Sequence, residues 1–138
     1  MARRKVDMSE AYDYLRKNKG SYVLCFDVQH LTSFNKIFYK AGDIAILEAV
    51  SRIDKVATDD MITMRIGGDE FVLITGLHDF EAVKALSEAV LSQNEEPIYC
   101  EDKALPLSLW CGITTIPESL RYNEFYTDLN TAIIDSKK

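Results

Sequence analysis

The stretch Arg65-Ile66-Gly67-Gly68-Asp69-Glu70-Phe71 constrains the fold of this chain more than any other. Two glycines and two carboxylates stand between the apolar runs Met61-Ile62-Thr63-Met64 and Phe71-Val72-Leu73-Ile74. Apolar, partly β-branched runs on either side of a glycine pair predict a β-hairpin. The glycines can supply the positive φ angles that a tight turn needs. Asp69 and Glu70 are then fixed at or beside the tip of a rigid ribbon. Adjacent anions repel, so either solvent screens an ordinary acidic turn or something positive belongs beside it. Both readings are open at this point.

At 138 residues the chain is long enough for one domain with a proper hydrophobic core. With 47% apolar and 28% charged residues it has the composition of a soluble globular protein. A formal charge of −6 argues against general binding to nucleic acid or to an anionic membrane, both of which want a basic face. An anionic substrate would need metal ions to offset the repulsion. The cysteines Cys25, Cys100 and Cys111 form no C-x-x-C pair and sit in strand-like contexts, which predicts buried free thiols in a reducing compartment. His30 and His78 show no zinc spacing. No apolar run approaches the roughly 20 residues of a membrane span, and no signal peptide opens the chain. A cytoplasmic domain without membrane contact of its own is expected, although a parent protein could be membrane-anchored. The abrupt start and the end at Lys137-Lys138 predict one domain, residues 1–138, excised from a longer multidomain protein.

The periodicities predict a helix over residues 9–17, with Ser9 as N-cap and Asn18-Lys19-Gly20 as its stop. The run Tyr22-Val23-Leu24-Cys25-Phe26, ending in Asp27, predicts a strand covered on both faces. A short helix follows at about 32–39. Gly42-Asp43 opens a longer one, with Asp43 near its N-cap and Ile46, Leu47, Val50 and Ile53 on one face. Residues 79–93 carry Phe80, Val83, Leu86 and Val90 at helical spacing, capped by Asp79. Strands are expected at 98–100 and 105–116, the second interrupted by Gly112. A helix over 123–136 turns Phe125, Leu129, Ala132 and Ile133 inward. This order predicts an α+β sandwich: a single mixed, mostly antiparallel central sheet flanked by helices, with the Gly-Gly-Asp-Glu signature on a hairpin.

Asp27 is the residue to set beside that hairpin. A carboxylate ending an apolar strand is costly to bury without a partner. If its strand neighbours the hairpin, Asp27 faces Asp69 and Glu70. Three converging carboxylates suit Mg²⁺ or Mn²⁺ shared with substrate phosphates, the usual device for phosphoryl transfer. Alternatively, Asp27 only caps the turn after its strand.

The ordered set Phe26-Asp27-Val28, Asn35, Gly42-Asp43 and Arg65-Ile66-Gly67-Gly68-Asp69-Glu70-Phe71 resembles the GGDEF family of diguanylate cyclase domains. Arg3-Arg4 is similar to the end of the family's opening Asn-Arg-Arg element, Trp110-Cys111-Gly112-Ile113 to its Ser-Ile-Gly-Val strand, and residues 132–137 to its closing helix. The resemblance implies a nucleotidyl-cyclase or polymerase-palm-like fold and the condensation of two GTP into cyclic di-GMP, with release of pyrophosphate, in a two-fold dimer. It implies that Asp27, the Val28 carbonyl and Asp69 hold Mg²⁺ or Mn²⁺, and that Asp69 or Glu70 assists deprotonation of the 3′-hydroxyl. Asn35 and Asp43 match the guanine-recognising positions, where an Asp accepting from guanine beside an Asn is suitable chemistry. The amides around His30 and Leu31 would cradle the terminal phosphates, with Gly67 and Gly68 letting a phosphate or ribose come close and Lys137 adding charge. Read without the family, Asp43 is a helix cap, Asn35 a surface residue and Lys137 a solvated charge complementing a helix dipole.

Several residues depart from the family pattern. The segment from Asn35 to Asp43 lacks a Gly-His pair and is one residue shorter, which is about 100° of helix rotation. Gln29 and Thr32 replace a common Asp and a common phosphate-side Lys. The Arg-x-x-Asp of the inhibitory product site is absent near Thr58, and the Gly-Arg-Asn tail is not in the sequence. Dimerisation is expected to come from regions outside this chain. A degenerate domain that binds GTP or a partner domain without catalysis is the alternative, and a structural relic the third.

Overall fold

The computed structural model describes residues 8–37, 40–66, 68–100, 102–119 and 121–137, excluding the side chains at 8, 9, 11, 32, 35, 37, 122, 123 and 126. Readings that concern Arg3, Arg4, Tyr39 and Gly67, or the side chains of Ser9, Ala11, Thr32 and Asn35, lie outside the described residues. In chain order the elements are α1 (Met8–Lys17), β1 (Tyr22–Val28), α2 (Leu31–Ile37), α3 (Ala41–Asp54), β2 (Ile62–Arg65), β3 (Glu70–Ile74), α4 (Phe80–Leu91), β4 (Pro97–Cys100), β5 (Lys103–Pro106), β6 (Leu109–Thr115) and α5 (Tyr122–Ser136).

The architecture is α+β, with a central four-stranded sheet in the order β2-β3-β1-β6 and helices against it. Every neighbouring pair in that sheet is antiparallel. β4 and β5 pair separately as a two-stranded ribbon. β1 lies between β3 and β6 and is covered on both faces, which is why its sequence is a continuous apolar run rather than an alternating one. Strand side chains alternate between faces. Leu24, Phe26 and Val28 join Phe34 of α2, Ala45, Ala49 and Ile53 of α3, and Val83 and Val90 of α4 in one core. Val23 and Cys25 face the other way, against Leu15 of α1 and Phe125, Leu129 and Ile133 of α5. The same alternation sends Asp27 to the α5 face.

Two expectations about apolar faces need correction. On α3 the buried stripe is Ala41, Ala45, Ala49 and Ile53, while Leu47 is 65% exposed. Small residues at every fourth position let the helix axis lie close to the sheet, so the larger Ile46 and Val50 are only half-buried. The strand expected over 105–116 is two strands that part at Leu107 and Ser108. Gly112 is inside β6 rather than a break in it. A Cβ there would stand 2.5 Å from the backbone of Ala132, so glycine at this position is what allows α5 to rest on the sheet. Asp79 does cap α4, its side chain accepting from Glu81 N at 3.2 Å. No described helix is long and apolar enough to cross a membrane.

Candidate functional site

The β1–β3 ladder sets the geometry. Its register pairs Phe26 with Phe71 and Asp27 with Glu70. On the other side of β1, Asp27 pairs with Trp110 and Val28 with Leu109 of β6. Residues opposed across antiparallel strands point to the same face, so Glu70, Asp27 and Trp110 form one row across three strands on the α5 side. Beyond the ladder's end, Val28 N donates to Asp69 O at 3.0 Å, which fixes the backbone of Asp69 against β1. The turn between β2 and β3 is closed by Ile66 N donating to Glu70 O at 3.0 Å and by the Arg65 guanidinium donating to Gly68 O at 2.5 Å. Gly68 does not use a positive φ, contrary to expectation, and a Cβ on it would meet nothing within 4 Å. Open space, not turn geometry, is what distinguishes this glycine.

Asp27 is only 7% exposed. Its Oδ2 accepts from Lys137 Nζ at 2.8 Å, while Oδ1 is buried with no hydrogen-bond partner among the described residues. Burial raises the Asp27 carboxyl above its ordinary range, and nearby Asp69 adds to this while Lys137 partly offsets it. Glu70 is raised as well, by burial first and then by Asp27 and Asp69. The pair is therefore poised to accept more positive charge than one ammonium supplies. Lys137, at the C-cap of α5, also lies over the Trp110 ring with its Nζ 4.4 Å from the centroid. The His30 ring stands 6.1 Å from that of Trp110.

The turn from β1 into α2 is built on His30, which takes φ +59° and whose carbonyl accepts from Ser33 N at 2.9 Å. A positive φ is uncommon outside glycine and is a point of local strain. Its flank is anchored by Gln29 N donating to Ser108 O at 2.9 Å. Asp43 sits in the first turn of α3, exposed, two residues beyond the helix start at Ala41. The N-cap is Lys40, which makes no side-chain cap bond, so Asp43 is not the cap.

The residues named from sequence thus divide. Asp27, Glu70 and Lys137 come together, with the Asp69 backbone joined to Val28. The three carboxylates lie within electrostatic reach of one another, but among the described residues no group of three or more His, Cys, Asp or Glu is arranged to hold a metal. Lys137 is the cation that stands on Asp27 among the described residues. Sequence reasoning missed two residues. Trp110 enters the sequence reading only as the first residue of the run similar to the family's Ser-Ile-Gly-Val strand, and its period-2 position within β6 was the available signal. Arg52 is fully buried and donates to Leu107 O and Glu96 O, each at 2.6 Å, and to Glu48 Oε2 at 3.0 Å. Its flanking by Ala49 and Ile53 on the buried stripe was the clue.

The thiols are free, with Cys25 and Cys100 buried and Cys111 half-buried. Desolvation pushes Cys111 up to about 12 and Cys25 higher still.

Comparison with known proteins identifies the family and the fold. The family model described as "Diguanylate cyclase, GGDEF domain" matches residues 5–138. The chain is 28% identical over 103 residues to the oxygen sensor protein DosP of Escherichia coli, covering 74% of this chain and 13% of that protein. It is 29% identical over 123 residues to the probable diguanylate cyclase DgcT of the same organism, covering 84% and 27% respectively. The chain therefore spans only a small part of these relatives. In structure it is similar to the diguanylate cyclase SiaD of Pseudomonas aeruginosa, solved in complex with its activator SiaC. The TM-score is 0.82 at 21% identity, over 94% of this chain and 54% of that one. The chain belongs to the GGDEF family of diguanylate cyclase domains.

Proposed function

We propose that this domain condenses two GTP into cyclic di-GMP in a divalent-metal-dependent reaction, as one half of a two-fold dimer. The observation that carries the reading is Asp27: a nearly buried carboxylate in register with Glu70, with one oxygen on an ammonium and the other without a hydrogen-bond partner among the described residues. An orphaned, desolvated carboxylate oxygen is costly, and the donor set of Asp27, the Val28 carbonyl and Asp69 is hard oxygen throughout, which fits Mg²⁺ or Mn²⁺. A cation held there supplies Lewis-acid neutralisation of phosphate charge.

This chain's own residues do the remainder. Asp69 or Glu70 takes the proton from the 3′-hydroxyl, and the raised carboxyl of Glu70 suits a proton acceptor better than an ordinary surface glutamate would. The 3′-oxygen then attacks the α-phosphorus of the other nucleotide, and the bond to pyrophosphate breaks. Repeating this in the opposite direction closes the ring, which is why two facing sites are needed. The open space at Gly68 leaves room for ribose or phosphate. The backbone around His30 and Leu31, with Lys137, is the reading for the terminal phosphates, and Asn35 and Asp43 for guanine. Dimerisation by segments outside this chain belongs to the same reading.

The test is to fuse the chain to a dimerising coiled coil and incubate it with GTP and Mg²⁺ or Mn²⁺. Cyclic di-GMP is expected. A folded, dimeric fusion that makes none would overturn the proposal.

One observation favours a second reading, a domain that binds GTP or a partner domain without catalysis. Lys137 already neutralises Asp27, and the described carboxylates do not form a ready metal cluster. GTP binding measured by calorimetry without any product would support it.

A further inference from the structure

We infer that Lys137 is a built-in counter-ion that competes with a divalent cation for Asp27, and that Trp110 holds it in place. The inference rests on the proposed metal site and concerns how that site is kept when metal is absent.

Three observations meet here. First, Asp27 is nearly buried, and a buried carboxylate without a partner is strongly unfavourable. Among the described residues the cation on its carboxylate is the ammonium of Lys137, at 2.8 Å on Oδ2, with Asp69 nearby. Second, the ammonium lies 4.4 Å from the centroid of Trp110, the cross-strand neighbour of Asp27 on β6. An ammonium over an indole face gains a cation–π contact. Lys137 is thus held from two sides, by a charge on β1 and a ring on β6. Third, the position of α5 is fixed close by: Gly112 on β6 touches the Ala132 backbone so closely that no Cβ would fit. Lys137 lies five residues beyond Ala132 in the same run of chain, so its backbone cannot retreat without lifting the helix. Only the flexible lysine stem is free to move.

The consequence is an exchange. A divalent cation arriving at Oδ1 stands close to the ammonium on Oδ2 of the same carboxylate, and the repulsion between the two positive charges favours release of Lys137. A polyphosphate arriving with the cation offers the freed ammonium a new anion a side chain's length away. Metal alone offers none. Lys137 therefore opposes metal binding by itself and favours nucleotide binding, two effects of opposite sign from one residue.

The opposite signs make the test. Mn²⁺ binding to the whole chain is measured by electron paramagnetic resonance of the free ion, for the wild type and for Lys137→Gln, Trp110→Leu and Lys137→Gln/Asp27→Asn. Lys137→Gln is expected to bind Mn²⁺ about tenfold more tightly than wild type, the scale of a lost charge contact at a partly exposed site. Trp110→Leu should tighten it by about threefold, through the lost cation–π contact. The double variant should lose the gain. Circular dichroism checks that each variant is folded. Equal or weaker Mn²⁺ binding by folded Lys137→Gln overturns the inference while leaving the metal site standing. A gain that survives Asp27→Asn also overturns it, because the ion is then elsewhere. If neither wild type nor any variant binds Mn²⁺, the metal reading under the proposed function fails together with this one. GTP affinity, measured in chelator with a fluorescent analogue, should fall in Lys137→Gln. An unchanged GTP affinity would remove the phosphate role proposed for Lys137 but not its role as counter-ion.

Discussion

The two ends of the candidate site are built from different materials. At the acidic end, Glu70, Asp27 and Trp110 lie on three adjacent strands, and their mutual positions follow from an antiparallel register with five paired residues on one side of β1 and seven on the other. At the other end, Asp43 is an exposed residue in the first turn of a helix whose N-cap makes no side-chain bond. A ladder fixes side chains through many backbone bonds at once. A helix start fixes them through the packing of a stripe, here Ala41, Ala45, Ala49 and Ile53, that lies on the opposite side from Asp43. The comparison teaches that the carboxylate edge is a property of the sheet, while the side proposed for guanine depends on how α2 and α3 meet.

If so, substitutions at the two ends should differ in size. Asp27→Asn keeps the shape of the side chain and removes its charge. Product formation by the enforced dimer should fall at least on the order of 10²-fold, the scale of losing one preorganised electrostatic group. A smaller loss would mean that the sheet edge is not where the chemistry occurs.

Next in size is Arg52, which ties the helical side to the rest. Arg52→Met removes two charge-assisted hydrogen bonds, leaving the carbonyls of Leu107 and Glu96 only their backbone donors Glu95 N and Leu107 N, and should lower stability by about 3 kcal/mol, read by urea unfolding. A loss below about 1 kcal/mol would mean that water replaces the guanidinium. Gly112→Ala tests the strand side in the same units. Its methyl group would need the space of the Ala132 backbone, and a loss of roughly 1–3 kcal/mol is expected.

Asp43→Ala should leave unfolding nearly unchanged, because the residue is exposed and caps nothing. GTP affinity should weaken by about tenfold, the value of one hydrogen bond to a charged group. No change in GTP affinity would remove guanine recognition from Asp43.

The smallest effect is on the pH dependence of stability. The folded thiol of Cys111 is raised by desolvation from 9.0 to about 12, so the unfolded chain loses its proton first. Stability from this group is complete below pH about 9 and is lost as pH rises through about 12. Urea unfolding between pH 8 and pH 10.5 should show a steeper decline for wild type than for Cys111→Ser, with equal slopes as the contrary result.

Most of the sheet was legible in the sequence because its signals are local. The hairpin, the two-sided burial of β1 and the Asp79 cap are each written within a few residues. What was not legible depends on distant partners. Lys137 and Asp27 are far apart in the chain, and nothing near either one names the other. The stripe on α3 was misjudged because alanines carry little hydrophobic signal, yet their small size is what brings the helix to the sheet. The break at Leu107 and Ser108 follows from Arg52 and Glu96, which take the Leu107 carbonyl and amide, so no turn residue marks it. The family resemblance named Gly112 as part of a strand, but only the contact with Ala132 gives the reason. It also named Asp27, Asp69 and Glu70 together, and the ammonium of Lys137 that stands on Asp27 joins them.

The central claim is that the acidic edge of the sheet is a metal and nucleotide site held closed by Lys137. A crystal structure of the chain with Mg²⁺ and a non-hydrolysable GTP analogue tests it most directly. The account predicts Mg²⁺ against Asp27, with Lys137 moved from Oδ2 to a phosphate oxygen. Analogue bound elsewhere, with Lys137 still on Asp27, would contradict it.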